Sequence, residues 1–220
     1  MTNRPKAAVF DLDGTLLYTL EDIADSLNHV LSGEGLPTHS PDAYRFMVGN
    51  GLETLVVRSL PGGLRIPAHV RPIFQKFVEY YRHNQCVKTR PYPGVPEMLA
   101  ELSGRGIPLA VLSNKAHTNT LGVIEHYFPE NPFQIVLGLR PEAPAKPDPF
   151  SALEIAEALK VRPEECVYLG DSNVDMETAK AAGMYAVGAT WGYRPKEELV
   201  QAGARKTIDS PGEFLEFFNG

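Results

Sequence analysis

The chain has 220 residues, 43% of them hydrophobic and 22% charged, which suits one sizeable core with an accessory unit and excludes wholesale disorder or a fibrous architecture. Its 21 Lys and Arg against 27 Asp and Glu leave a formal charge of −6, so no net field draws it to nucleic acid or an anionic membrane, and a small molecule is the expected partner. No run approaches the roughly 18–20 apolar residues of a membrane-spanning helix, and residues Met1 to Lys6 carry no signal-peptide core, so a cytoplasmic protein is expected, with Cys86 and Cys166 reduced and given no role.

The first apolar run covers residues 7–12 and reads as a strand. Residues 16–88 then show helical periodicity with almost no strand signal: Ile23, Ala24, Leu27, Val30 and Leu31, and again Val70, Ile73, Phe74, Phe77, Tyr80 and Tyr81, recur at spacings of three and four. Pro37, Pro41, Gly62-Gly63 and Pro67 punctuate this stretch, and Arg90-Pro91-Tyr92-Pro93-Gly94 marks its end. Further apolar runs follow at 107–113, 134–138, 166–170 and 184–189, with a weaker one at 206–208. Helical segments are predicted at 116–127, 150–159, 175–182 and 195–202, with Gly183 and Gly203 as helix stops. Strands this apolar need helices on both faces. The predicted fold is α/β: a Rossmann-like three-layer core with a mostly parallel sheet, built from residues 1–15 and 89–220, plus a small all-helical cap domain, residues 16–88, inserted after the first strand. Trp191 is expected to pack at the sheet edge, and Phe214, Phe217 and Phe218 to dock a last helix.

The first run ends Val9-Phe10-Asp11-Leu12-Asp13-Gly14-Thr15, which puts two carboxylates on one face where a strand runs out. Ligands of open α/β sheets bind at such ends. Taken alone, the pair fits a metal site or two solvated turn acids. The run at 166–170 ends in the same way, Gly170-Asp171-Ser172-Asn173-Val174-Asp175. These acids can cap the next helix, yet two acidic strand ends in one sheet suit a hard divalent cation with oxygen ligands, Mg²⁺ first. Between them lie Ser113-Asn114-Lys115 and Ala145-Lys146-Pro147-Asp148. A hydroxyl, backbone N–H groups and a lysine are the donors that a transferring phosphoryl group needs, although Lys146 by itself reads as a solvated lysine in a Pro-rich loop.

In this order, Asp11-x-Asp13-Gly14-Thr15, Ser113, Lys146 and Gly170-Asp171 with Asp175 resemble the four motifs of the haloacid dehalogenase superfamily of phosphotransferases, over essentially the whole chain. The helical insertion resembles that superfamily's small mobile cap. The resemblance implies that Asp11 is the nucleophile, forming an aspartyl-phosphate that water hydrolyses, and that Asp13 is the general acid and base. It implies Mg²⁺ held by the Asp11 carboxylate, the Asp13 backbone carbonyl and Asp171, with Asp175 supporting the metal shell. Ser113, the Asn114 amide and Lys146 would neutralise the phosphoryl oxygens, Gly14 would allow a sharp turn, and the Thr15 hydroxyl would brace it. Asp13 sets the chain apart from the halide-releasing branch, which lacks the second aspartate and needs no metal.

Substrate choice is expected in the cap. Phe46-Met47-Val48-Gly49-Asn50-Gly51 resembles the Gly-Asn-Gly loop of phosphoglycolate phosphatases, and Lys146-Pro147-Asp148-Pro149 and Trp191-Gly192-Tyr193 fit that branch too. The expected substrate is a small phosphorylated metabolite, 2-phosphoglycolate first, and the protein a monomer or homodimer. Gly49, Asn50 and Gly51 would face a small carboxylate or else form a helix-connecting turn. Arg45 and Arg58 flank the loop as partners for a carboxylate or as surface residues. His83, His117 and His126 show no ligand spacing. Pyrophosphate, nucleotide and other phosphate hydrolysis, or sugar-phosphate mutation, would use the same catalytic residues. A phosphate-responsive receiver-type module is the non-enzymatic alternative; its acceptor aspartate, however, follows a later strand than its acidic pair.

Overall fold

The computed structural model describes residues 5–219; residues 1–4 and 220, the outer ends of the expected core segments, lie outside the described residues. In chain order, β1 (Ala7–Phe10) and a two-residue strand β2 (Leu17–Tyr18) lead into the helices α1 (Leu20–Gly33), α2 (Pro41–Arg45), α3 (Leu52–Ser59) and α4 (Pro67–Asn84). The chain returns through β3 (Arg90–Pro91), α5 (Val95–Gly104), β4 (Leu109–Ala116), α6 (His117–Tyr127), β5 (Ile135–Leu139) and α7 (Phe150–Ala158). It ends with β6 (Cys166–Gly170), α8 (Asn173–Ala181), β7 (Tyr185–Ala189), α9 (Lys196–Ala202) and β8 (Lys206–Ile208).

Six strands form one sheet in the order β5-β4-β1-β6-β7-β8, and every neighbouring pair is parallel. The two-residue side-chain period sorts each strand between two apolar layers. Phe10, Val111 and Leu169 point into one layer with α5 and α6; Val9, Leu112 and Tyr168 point into the other with α7, α8 and α9. This is the expected three-layer α/β core. β1 sits between β4 and β6, so chain connections diverge on either side of it, and the crevice at its carboxyl end is the place where such sheets take ligands.

The helices between β2 and β3 bury their own apolar cluster. Leu20, Ile23, Leu27 and Leu31 of α1 meet Val70, Ile73, Phe77 and Tyr81 of α4, the three-and-four spacing read from the sequence. Leu16 and Leu17, by contrast, belong to the sheet cluster. The crossings between the layers are fastened twice. β2 pairs antiparallel with β3, and the buried Asp22 carboxylate accepts the N–H groups of Val87, Lys88 and Thr89 at 2.8–3.0 Å.

Two elements differ from expectation. α5 lies where no helix is predicted above; Pro96 sits in its first turn, where a missing N–H costs nothing. The segment carrying Phe214, Phe217 and Phe218 is wound as a 3₁₀ helix, Pro211–Phe218, whose three-residue turn stacks Phe214 and Phe217 with ring centroids 5.6 Å apart. Phe214 also meets Phe10 at 5.3 Å, so this segment does dock on the sheet. Cys86 and Cys166 carry free thiols. No helix among the described residues is long and apolar enough to cross a membrane.

Candidate active site

The end of β1 delivers Asp11 to the crevice, its N–H donating to the Leu169 carbonyl of β6 at 2.9 Å. The chain then turns tightly: the N–H groups of Thr15, Leu16 and Leu17 all donate to the Leu12 carbonyl, at 3.3, 3.0 and 3.0 Å. Gly14 has φ +97°, and a Cβ there would lie 2.3 Å from Asp171 Oδ2. Glycine is required both for its conformation and for the space it leaves. The Thr15 hydroxyl, expected to brace this turn, reaches across to Asp171 instead and donates to its Oδ1 at 3.1 Å. The turn is held by the Leu12 carbonyl and leaves the hydroxyl free for the neighbouring strand end.

Asp171 and Asp175 enter from β6 and the first turn of α8. Asp171 Oδ2 accepts the Tyr193 N–H at 2.7 Å. Asp175 uses Oδ2 to cap α8, accepting from the Ser172 N–H at 3.0 Å and its hydroxyl at 2.5 Å, and turns Oδ1 inward. Lys146 meets it there: its Nζ lies 2.7 Å from Asp175 Oδ1 and 2.7 Å from Asp11 Oδ1, and also donates to the Leu112 carbonyl and the Tyr168 hydroxyl at 3.0 and 3.2 Å. The lysine of the Pro-rich loop is thus buried among acids rather than solvated.

Asp11, Asp171 and Asp175 each bring one carboxylate oxygen within 4.8 Å of the others. All three are buried, and one ammonium lies among them. Burial, then the charge of Asp175, pushes the Asp11 carboxyl well above the usual 3.8, against the pull of Lys146. The same two causes carry Asp171 up to about 7. Burial disfavours the Lys146 ammonium, but Asp11 and Asp175 outweigh it and hold the group charged well above its ordinary range. With all three ionised, three carboxylates against one ammonium leave two negative charges uncompensated. Oxygen donors that close, and short of positive charge by that amount, fit a hard divalent cation such as Mg²⁺. A Cβ on Gly192 would stand 2.2 Å from Asp171 Cβ, and one on Gly170 would stand 2.3 Å from Asp175 Cβ, so glycines make room for two of the three acids.

The Asp13 side chain lies apart from this cluster. Its carboxylate faces Lys115, whose Nζ is 3.3 and 3.5 Å from its two oxygens and donates to the Tyr81 hydroxyl of α4 at 2.6 Å. β4 changes register between Leu112 and Ala116, and this irregular end turns Ser113, Asn114 and Lys115 into the cleft. Ser113 Oγ accepts the Lys115 N–H at 3.1 Å and keeps its own proton to donate. The Asn114 side-chain amide, expected to face phosphoryl oxygens, is engaged elsewhere. It donates to the carbonyls of Gly49 and Lys146, both at 3.1 Å, and accepts the Lys146 N–H at 2.9 Å, tying the Gly49 loop to the Lys146 loop.

A cleft lies between these residues and the helical layer; Ile23, Val48, Leu52 and Leu55 form its apolar wall. Gly49 and Gly51, at φ +110° and +82°, also line it. Arg45 and Asn50 do not. Arg45 donates to the Gly192 carbonyl at 3.1 Å, while Arg58 donates to the Met47 carbonyl at 2.8 Å and to Asn50 Oδ1 at 2.9 Å. Backbone carbonyls on either side of the cleft thus take up Arg45 and one nitrogen of Arg58, and Asn50 accepts the other. Besides the apolar wall, four lining residues lie outside the predicted set: Lys115, Ser172, Tyr193 and Arg194. Lys115 and Tyr193 were inside the quoted motifs, and Arg194 follows directly. Trp191, next to them, packs on the sheet cluster and donates its indole N–H to the Thr15 carbonyl at 3.0 Å.

Residues 8–189 match the profile of the haloacid dehalogenase-like hydrolases. A phosphoglycolate phosphatase of Mesorhizobium japonicum is 36% identical over 188 residues, 84% of this chain and 82% of its own length. One from Colwellia psychrerythraea is 32% identical over 212 residues, 94% of each chain. Among solved structures, a predicted phosphoglycolate phosphatase from Haemophilus somnus superposes with a TM-score of 0.92 at 28% identity, covering 100% of both chains.

Proposed function

The chain belongs to the haloacid dehalogenase-like hydrolase family, and on that footing we propose that it is a Mg²⁺-dependent phosphatase that hydrolyses a small phosphate monoester, 2-phosphoglycolate first, through an aspartyl-phosphate at Asp11. One observation carries the reading: Asp11, Asp171 and Asp175 converge within 4.8 Å, with Lys146 Nζ 2.7 Å from Asp11, at the carboxyl edge of the sheet. Relatives named for phosphoglycolate support the choice of substrate.

In the proposed reaction a carboxylate oxygen of Asp11 bonds to phosphorus as the ester P–O bond breaks, and the leaving oxygen takes a proton from Asp13. Water then attacks the same phosphorus and gives its proton to Asp13; the bond to Asp11 breaks, and inorganic phosphate leaves. Ester and water become alcohol and phosphate, with both aspartates restored. Bound through Asp11, the Asp13 carbonyl and Asp171, Mg²⁺ supplies positive charge against the phosphoryl oxygens. Lys146 and the Ser113 hydroxyl offer donors to the same oxygens, and Asp175 keeps Lys146 oriented. Asp13 lies outside the acidic cluster, where its proton can be exchanged without competing for the cation. Residues 16–88, as the cap, close the leaving-group side with an apolar wall and keep bulk water out.

Phosphate release from a panel of 2-phosphoglycolate, phosphoserine, glucose phosphates, nucleotides and pyrophosphate, each with and without Mg²⁺, tests this. We expect 2-phosphoglycolate to rank first in kcat/KM. Asp11→Asn should reduce kcat by about 10⁴-fold or more, as loss of a nucleophile does; a variant as active as wild type removes Asp11 from the reaction.

A further inference from the structure

The cleft is lined by three cations, and two of them pair with acids that line it too. Lys146 is shared between Asp11 and Asp175, both at 2.7 Å. Lys115 faces Asp13 at 3.3 Å and donates to Tyr81. The third, Arg194, is 8% exposed, and its nearest acid is Glu198, 3.5 Å from Nε. Nη2 donates to the Val48 and Phe46 carbonyls at 2.9 and 3.4 Å. Nη1 makes no hydrogen bond among the described residues and is not among their buried unpaired atoms, so it keeps access to solvent on a residue that lines the cleft. A near-buried guanidinium with a spare donor edge, whose one ion pair is made through Nε to a glutamate that does not line the cleft, is suited to a second anionic group on a bound ligand.

Its position fits that task. The preceding residue, Tyr193, donates its N–H to Asp171 Oδ2 at 2.7 Å, so the backbone carrying Arg194 is fixed to the acidic cluster. The side chain then reaches Val48 on the opposite, apolar wall. A cation at this wall lies on the leaving-group side of a phosphoryl group bound at Asp11. The two arginines expected there from sequence, Arg45 and Arg58, are occupied by carbonyls and Asn50.

Resting on the phosphatase reading, we propose that Arg194 is the specificity-determining residue that pairs with a carboxylate on the leaving group, so that phosphate esters of small hydroxy acids are preferred to uncharged esters of the same length. The experiment compares 2-phosphoglycolate with ethyl phosphate, which has a methyl in place of the carboxylate. kcat/KM, by phosphate release, is measured for wild type, Arg194→Gln and Arg194→Lys with Mg²⁺ present, and affinity, by calorimetry, for the same three in an Asp11→Asn background that does not consume the ester. The ratio of the two esters in kcat/KM should collapse by about 10- to 100-fold in Arg194→Gln, the value of charge-assisted hydrogen bonds, and recover in part in Arg194→Lys. A ratio that stays constant, whether both esters fall together because the Val48 loop is loosened or neither falls, overturns the assignment. If wild type releases no phosphate from either ester, the phosphatase reading fails, and calorimetry still decides Arg194: a preference for the carboxylate ester that Arg194→Gln abolishes supports it, and equal affinities overturn it.

Discussion

Asp171→Asn is expected to make the metal-free protein more stable at about pH 8 and to abolish most of its response to Mg²⁺. Asp171 is 1% exposed, and burial together with Asp175 carries its carboxyl from the ordinary 3.8 up to about 7. A folded-state value above the unfolded one means that the folded protein holds the proton more tightly, so ionisation favours unfolding. The destabilisation is absent below 3.8, grows as pH rises toward about 7 and is complete above it. At about 1.4 kcal/mol per pH unit, the gap between 3.8 and about 7 is worth about 4 kcal/mol. Asparagine keeps the shape without the charge. Its carbonyl can accept the Tyr193 N–H as Oδ2 does at 2.7 Å, and its NH₂ can donate to Thr15 Oγ1, now 3.1 Å from Oδ1, because a hydroxyl accepts as well as donates. Allowing for weaker bonds to the neutral amide, the gain should be about 2–4 kcal/mol, or about 4–16 °C in Tm for a domain of this size.

The assay is thermal unfolding of wild type and variant in chelator, from about pH 8 down to about pH 4, and again in saturating Mg²⁺. The variant's advantage should shrink on acidification. Wild type should gain about 2.7 kcal/mol at a metal concentration 100 times Kd, and Asp171→Asn far less. A variant less stable than wild type in chelator at about pH 8, or an advantage that grows toward pH 4, would refute the claim that this acid is held at an electrostatic cost which a cation relieves.

Gly192→Ala should act on the same acid by another route: a Cβ 2.2 Å from Asp171 Cβ displaces the carboxylate, so the variant should lose about 1–3 kcal/mol of stability and most of the Tm rise on adding Mg²⁺. A normal Mg²⁺ titration of this variant would count against the cradle. Tyr81→Phe deprives the buried Lys115 ammonium of an oxygen at 2.6 Å and should cost about 1–3 kcal/mol in urea unfolding; an unchanged midpoint would show that this link between α4 and the sheet carries no energy.

The sheet was legible because its code is local. Runs such as 166–170 are apolar on both faces, and that pattern has one cheap solution, a parallel strand covered by helices. α5 is harder to read, although Val95, Met98, Leu99 and Leu102 follow helical spacing, because Pro93, Gly94 and Pro96 crowd its entrance and a helix accepts proline only in its first turn. β2 and β3, two residues each with Pro91 in one of them, are too short for any period. They exist because the chain must leave and re-enter the sheet at one place.

For the site, the acids stand out from the residues themselves because a carboxylate at the end of a buried strand has few environments open to it, whereas Lys146 alone reads as a solvated loop lysine and is singled out only by the family resemblance. Arginines are different: a long side chain reaches several partners, and its choice depends on which carbonyls the fold leaves bare. The tight turn around Gly49 exposes the carbonyls of Phe46, Met47 and Val48, and three arginines compete to serve that loop and its neighbour. Arg58 takes Met47 from within the same layer, and Arg45 crosses to Gly192. Arg194, 146 residues from Val48 in sequence, takes the remaining carbonyls from across the cleft and is the one that lines it. Proximity to the Gly-Asn-Gly motif pointed to Arg45 and Arg58. The proposal instead assigns the anion to the arginine whose backbone is tied to the acidic cluster, since that tether sets a guanidinium beside the cleft while the loop carbonyls occupy Nη2 alone.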